Sequence, residues 1–140
     1  MARVIEFQGK TLKKGIWIVG SLHHENSLYN QPELRYSNCI YIERKISSDC
    51  TIKHLIIPET VGQFTGIIGK DKKKIYEHDM VENDFYTGEV YWNYVYNGWR
   101  VAAINENNSL FDTKLDNTYQ VIGHKYDELI HSNYTNIGAI

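Results

Sequence analysis

Polar and apolar residues alternate along most of this chain, the period of a strand with one buried face. Residues 3–7 and 15–22 predict an opening hairpin about Gly9-Lys10. Residues 21–37 are polar, contain His23-His24 and Pro32, and predict a long excursion. Residues 39–46 and 51–57 predict a second hairpin, which stops at Pro58 because proline has no N–H to give a ladder. Asn97-Gly98 is the strongest local signal, since both residues tolerate the positive φ of a type I′ turn. That turn pairs Tyr96 with Trp99, Tyr94 with Val101 and Trp92 with Ala103. One face then carries Val90, Trp92, Tyr94, Tyr96, Trp99, Val101 and Ala103; the other carries Glu89, Tyr91, Asn93, Val95, Arg100, Ala102 and Ile104. Residues 105–108 predict a turn, and residues 109–115 and 118–125 two further strands. Only residues 126–131 have helical character, with Asp127 as an N-cap. The expected fold is mainly β: hairpins forming a small barrel or two partly closed sheets, with a short C-terminal helical turn.

Composition supports strands, because the eleven tyrosines and three tryptophans pack well on a pleated surface. At 140 residues the chain is expected to form one domain over residues 1–140, or two small, closely packed lobes. A net charge of −2 exerts no overall pull toward nucleic acid or anionic membrane. The lysine runs Lys10/Lys13/Lys14 and Lys70/Lys72/Lys73/Lys74 read as solvated turns. No apolar run approaches the roughly 20 residues of a membrane helix, and no signal-peptide core opens the sequence, so a soluble cytoplasmic protein is expected. A turn at residues 47–49 puts Cys50 opposite Ile46 and Cys39 near Ile57, too far apart to bridge, which predicts two free thiols.

Two blocks are the most distinctive: Pro58-Glu59-Thr60-Val61-Gly62-Gln63-Phe64-Thr65-Gly66 and Lys73-Lys74-Ile75-Tyr76-Glu77-His78-Asp79-Met80-Val81. Together they resemble the signature of the YopX family, small proteins found largely in bacteriophages and prophages. Residues 3–10 and 15–20 look like that family's opening hairpin, residues 120–126 like its closing strand and residues 127–130 like its short helical end. Glu6 and Gln8 stand where the family commonly has basic residues, and Gly69 comes earlier in its turn than usual. His78 stands where the family prefers glycine, which implies a positive φ or a close backbone approach there. The family brings no established activity. The resemblance implies a phage or prophage accessory protein in the host cytoplasm, binding a host or phage partner during host takeover or anti-defence.

Gly66 and Gly123 read as bulge or strand-bend residues. Glu77 and Asp79 are two apart, so on a strand they share a face, where a carboxylate pair can move protons or hold a cation. The architectural reading makes them acceptors for backbone N–H groups. The functional reading has Thr65, Tyr76, Glu77 and Asp79 lining one cleft. The sequence contains no HExxH-type pair, CxxC, GxSxG, phosphate loop or dinucleotide fingerprint. Neither catalysis nor a metal or cofactor is therefore expected. Trp92, Tyr94, Tyr96 and Trp99 lack interleaved cations on their face, which favours a core or subunit interface over base stacking. A homo-oligomer is expected. An alternative is an oligomeric sponge for a nucleotide-like signalling molecule, contacted by Lys72, Lys73, Tyr76 and Arg100. A further alternative is a nucleic-acid-binding module that uses the lysine runs.

Overall fold

Strands occupy most of the segments where alternation predicts them, and the pairings within each unit are antiparallel. The structure, a computed structural model, describes residues 4–26, 38–104 and 107–128. It divides into two units, built mainly from Ile5–Gly62 and Gln63–Asp127. The sheets stay open, so the fold is mainly β without the small barrel that the hairpin pattern also allows.

In the first unit β1 (Phe7–Lys10), β2 (Trp17–Asn26), β3 (Asn38–Ser47) and β4 (Cys50–Leu55) lie in the order β4-β3-β2-β1. The opening hairpin is present, but its loop spans residues 11–16 and not Gly9-Lys10. Gly9 provides space here: a Cβ at this position would lie 2.6 Å from Ile56 Cγ2. The first lysine run separates accordingly. Lys10 is buried, with Nζ 5.7 Å from the Trp17 ring centroid, while Lys13 and Lys14 are exposed in the loop.

β2 continues to Asn26, so the predicted excursion over residues 21–37 begins as strand; residues 27–37 lie outside the described residues. Backbone pairing from Ser21↔Glu43 to Asn26↔Asn38 overrides the polar character of this segment. His23 also contacts Glu43. Between β3 and β4 the turn is Ser48-Asp49, which sets Cys50 opposite Ser47 and leaves Ile46 in a bulge. Cys50 is a free, exposed thiol, and the Cys39 side chain lies outside the described residues.

Ile18, Ile42 and Ile56 form the core of this unit, flanked by Phe7, Leu22, Ile40 and Val61. Pro58 ends the ladder as its chemistry dictates and opens a 3₁₀ turn, Pro58–Thr60. The buried Thr60 hydroxyl accepts the Lys10 N–H at 2.9 Å and donates to Ile57 O at 2.6 Å. The Pro58-Glu59-Thr60 part of the signature thus fastens the turn to β1.

The second unit begins with a hairpin of β5 (Gly62–Ile68) and β6 (Lys74–Tyr76). β7 (Asp79–Glu82), β8 (Thr87–Asn93), β9 (Gly98–Ile104), β10 (Leu110–Lys114) and β11 (Gln120–His124) form a sheet in the order β10-β9-β8-β7-β11. Val81, Val90, Val101 and Ala103 are fully buried and pack with Ile75, Leu115 and Tyr119. Burying one valine-sized side chain is worth about 1.5–3 kcal/mol, so this face fixes the sheet's sidedness. The β5–β6 register breaks between Phe64 and Ile68, around Gly66 at φ +87°, and the β7–β11 register breaks between Val121 and Gly123. Both glycines are bulge residues, as their sequence context predicts.

Three expectations are corrected in this unit. Trp99 pairs with Trp92 and Val101 with Val90, so the β8–β9 partners are four residues away from those of a type I′ turn at Asn97-Gly98. Asn97 takes φ +55°, but Gly98 is not at positive φ, and residues 94–97 form the loop. An even slip preserves the faces, which is why Val90, Val101 and Ala103 still point inward. The helical end does not form over the described residues: residues 125–128 make a turn, and the Asp127 carboxylate accepts the His124 N–H at 2.8 Å. Residues 129–131 lie outside the described residues, as do Arg3, Asn105 and Glu106. Among the described residues no helix is long and apolar enough to cross a membrane.

Candidate functional site

The signature residues from Gln63 onward lie in the second unit, where most of their polar atoms serve the backbone. Glu77 and His78 form the tight turn between β6 and β7, so Glu77 and Asp79 do not share a strand. Asp79, 4% exposed, accepts the Tyr76 N–H at 2.8 Å across that turn. The Glu77 N–H donates to Gln63 O and the His78 N–H to Val90 O, both at 2.9 Å. His78 sits at φ +73°, the left-handed conformation, which is the first of the two readings of a glycine at this place in the family pattern. Its imidazole lies 3.2 Å from Glu89. The Thr65 hydroxyl is buried, donates to Ile75 O at 2.8 Å and accepts the Ile67 N–H at 3.1 Å, bridging the bulge at Gly66. Tyr76 is buried with its ring 5.6 Å from that of Phe64.

Lys72 and Lys73 are exposed on the β5–β6 turn, whereas Arg100 belongs to β9 on the five-stranded sheet. The structure therefore gathers Thr65, Tyr76 and Asp79 in one architectural cluster and leaves Lys72, Lys73 and Arg100 elsewhere. Among the described residues no group of three or more His, Cys, Asp or Glu side chains is placed to hold a metal ion.

The exposed chemistry concentrates at the β8–β9 end of the sheet. Tyr94, Val95 and Tyr96 are 88%, 87% and 66% exposed, three large side chains in succession on one loop. Solvent exposure of such a run is costly, yet the loop is well fastened. Asn93 Oδ1 accepts the N–H groups of Val95 and Tyr96 at 2.8 and 3.0 Å, an Asx turn that competes with the Asn97-Gly98 turn and wins. The Asn93 amide donates to the Tyr91 hydroxyl at 3.0 Å, and that hydroxyl donates to Asp112 on the neighbouring β10. Asp112 also takes the Arg100 Nε–H at 2.7 Å, and the Arg100 guanidinium stacks 4.5 Å over the Tyr96 ring. The circuit closes on the loop where it began. The Asp112 hydrogen bond, followed by burial, holds the Tyr91 phenol above its ordinary pKa, so the neutral donor persists into alkaline solution.

Trp92 and Trp99 occupy the other face of this hairpin as a half-buried edge-to-face pair, with centroids 5.0 Å apart. The four aromatics expected at an interface thus divide into an inner pair, Trp92 and Trp99, and an outer pair, Tyr94 and Tyr96. Tyr91, Asn93 and Asp112, which stiffen the tip, were not among the candidates. Asn93 could have been found as an Asx-turn residue two before Val95, but Asp112 is joined to Tyr91 only by strand pairing. A protein-family model described as YopX protein matches residues 14–129. No curated protein matches the chain.

Proposed function

This chain belongs to the YopX family, and we propose that it acts without catalysis, by gripping a host or phage protein with the β8–β9 tip. One observation carries the reading: Tyr94, Val95 and Tyr96 project into solvent from a loop whose backbone Asn93 has already fixed. Tyrosine and arginine dominate interface hot spots, and a loop ordered in advance loses less entropy on docking. A partner surface with a shallow apolar groove suits these side chains. Host takeover or defence evasion is the setting that the family supports, with the host cytoplasm as its place. The test is to compare the partner captured by the wild-type chain with that captured by Tyr94→Ala/Tyr96→Ala. A stoichiometric partner lost from the folded variant supports the tip, and equal capture by both defeats it.

Self-association has separate support. β10 is an edge strand of the five-stranded sheet, and its Leu110, 76% exposed, pairs with Ile104, 55% exposed. An edge that is open among the described residues, beside an exposed apolar pair, suits extension of the sheet by a second copy. Native mass spectrometry counts the copies directly, and a uniform monomer at micromolar concentration would rule this out.

A further inference from the structure

β8 separates two loops at opposite ends of the five-stranded sheet: the tip at residues 94–97 and the loop at residues 83–86. The second loop borders an open cleft of about 690 Å³, whose lining includes Phe85, Tyr86, Lys70, Lys114, Asp84 and Asn117. We propose that this cleft binds a mononucleotide, a planar base carrying phosphate. It is a site independent of the protein-binding tip.

Three features converge on that ligand class. Phe85 is 82% exposed, an unusual position for phenylalanine, and its backbone is held in place. Asn83 Oδ1 accepts the Phe85 and Tyr86 N–H groups at 2.9 and 2.8 Å, and the Asn83 amide donates to the Thr118 hydroxyl at 3.1 Å. Tyr86 is held edge-on against Phe111 at 4.9 Å and meets the Phe85 ring at 6.2 Å, while the exposed remainder of the Phe85 ring offers a stacking surface at the cleft. Next, Lys70 and Lys114 line the same cleft, and neither forms an ion pair among the described residues. Two ammonium groups with no carboxylate partner among the described residues suit a phosphate. Finally, the lining provides acceptors for base and sugar. Asp116 is folded back onto its own turn, where it accepts from the Thr118 N–H and hydroxyl, but Asp84 is exposed and can accept from an amino or ribose hydroxyl group.

The cavity volume falls within the roughly 300–1,000 Å³ of small-ligand sites. A continuing nucleic-acid strand fits less well, because it needs a track of cations and here Asp84 and Asp116 share the lining with the two lysines.

Isothermal titration with AMP, GMP, CMP and UMP tests the proposal, with adenosine and inorganic phosphate as half-ligand controls. At least one mononucleotide should bind the wild-type chain more tightly than either control. Phe85→Ala and Lys70→Gln/Lys114→Gln should each weaken that binding by about tenfold or more. Phe85 is exposed, so its variant should keep the wild-type urea midpoint, which separates a lost contact from a lost fold. Binding of none of the four nucleotides overturns the proposal, as does binding that both variants leave intact. Salt-sensitive binding of a single-stranded oligonucleotide that free nucleotide cannot displace would assign the cleft to nucleic acid and overturn it too.

Discussion

Replacing Asp79 with alanine separates the architectural reading of the signature turn from the functional one. The carboxylate is 4% exposed and accepts the N–H of buried Tyr76 at 2.8 Å. Removing an acceptor from a buried donor costs about 1–3 kcal/mol, with charged acceptors toward the upper end. The variant should therefore lose about 2–3 kcal/mol. At this chain length each kcal/mol lowers the melting temperature by about 3–5 °C, so Tm should fall by about 6–15 °C. Urea unfolding followed by circular dichroism of the Trp92/Trp99 pair reports on the same unit, since the pair lies within it. Asp79→Asn keeps an acceptor oxygen and should recover part of the loss. If Asp79→Ala costs less than about 0.5 kcal/mol, the carboxylate does not hold the turn and the architectural argument fails.

Further predictions concern strain, space and titration. His78→Gly relieves a left-handed residue worth about 1–2 kcal/mol but loses chain entropy and the Glu89 contact, so its stability should stay within about 1 kcal/mol of wild type. His78→Ala keeps the strain and loses the contact, and it should melt below His78→Gly. Gly88→Ala brings a Cβ to 2.1 Å from Ala102 O, a backbone atom that cannot give way cheaply, and should cost about 3 kcal/mol in thermal melts, the upper end for overpacking. Burial raises the Tyr119 phenol pKa, and the Asp112 hydrogen bond raises that of Tyr91. A phenol whose folded pKa lies above its unfolded value contributes stability that is complete below about pH 10 and lost as pH rises through the folded value. Urea midpoints measured against pH should fall on the alkaline side, and Tyr119→Phe should flatten that fall. An unchanged slope would contradict the assignment.

The inner face of the five-stranded sheet was legible because it obeys the simplest rule. Val90, Val101 and Ala103 recur at period two, so even a wrong register kept them together. Pro58 and Gly66 were legible because proline fixes its own backbone and glycine admits a positive φ regardless of context, whereas the positive φ at His78 was suggested only by the glycine that the family prefers there. Where two local signals competed, legibility ended. Asn93 and Asn97-Gly98 each offer a turn; in the structure the Asn93 turn is the one that forms, with Trp92 paired on Trp99. The polar second half of β2 shows no alternation because its stability comes from the ladder with β3. Asp79 was legible as an acceptor for a backbone N–H because it stands at the head of a strand, whereas Thr65 looked like site chemistry, since its hydrogen bond to Ile75 O is invisible in a sequence. Phe85 drew no reading from the sequence, because its exposure depends on the fold around it.

Recognition through the β8–β9 tip is tested most directly by placing a photo-crosslinking residue at Tyr94, with a second chain carrying it at exposed Glu59 in the other unit. After irradiation in bacterial cytosol, the Tyr94 position should yield one discrete protein adduct, lost on addition of excess unlabelled wild-type chain, while Glu59 yields none. No adduct at Tyr94, or the same adducts from both positions, would contradict the account.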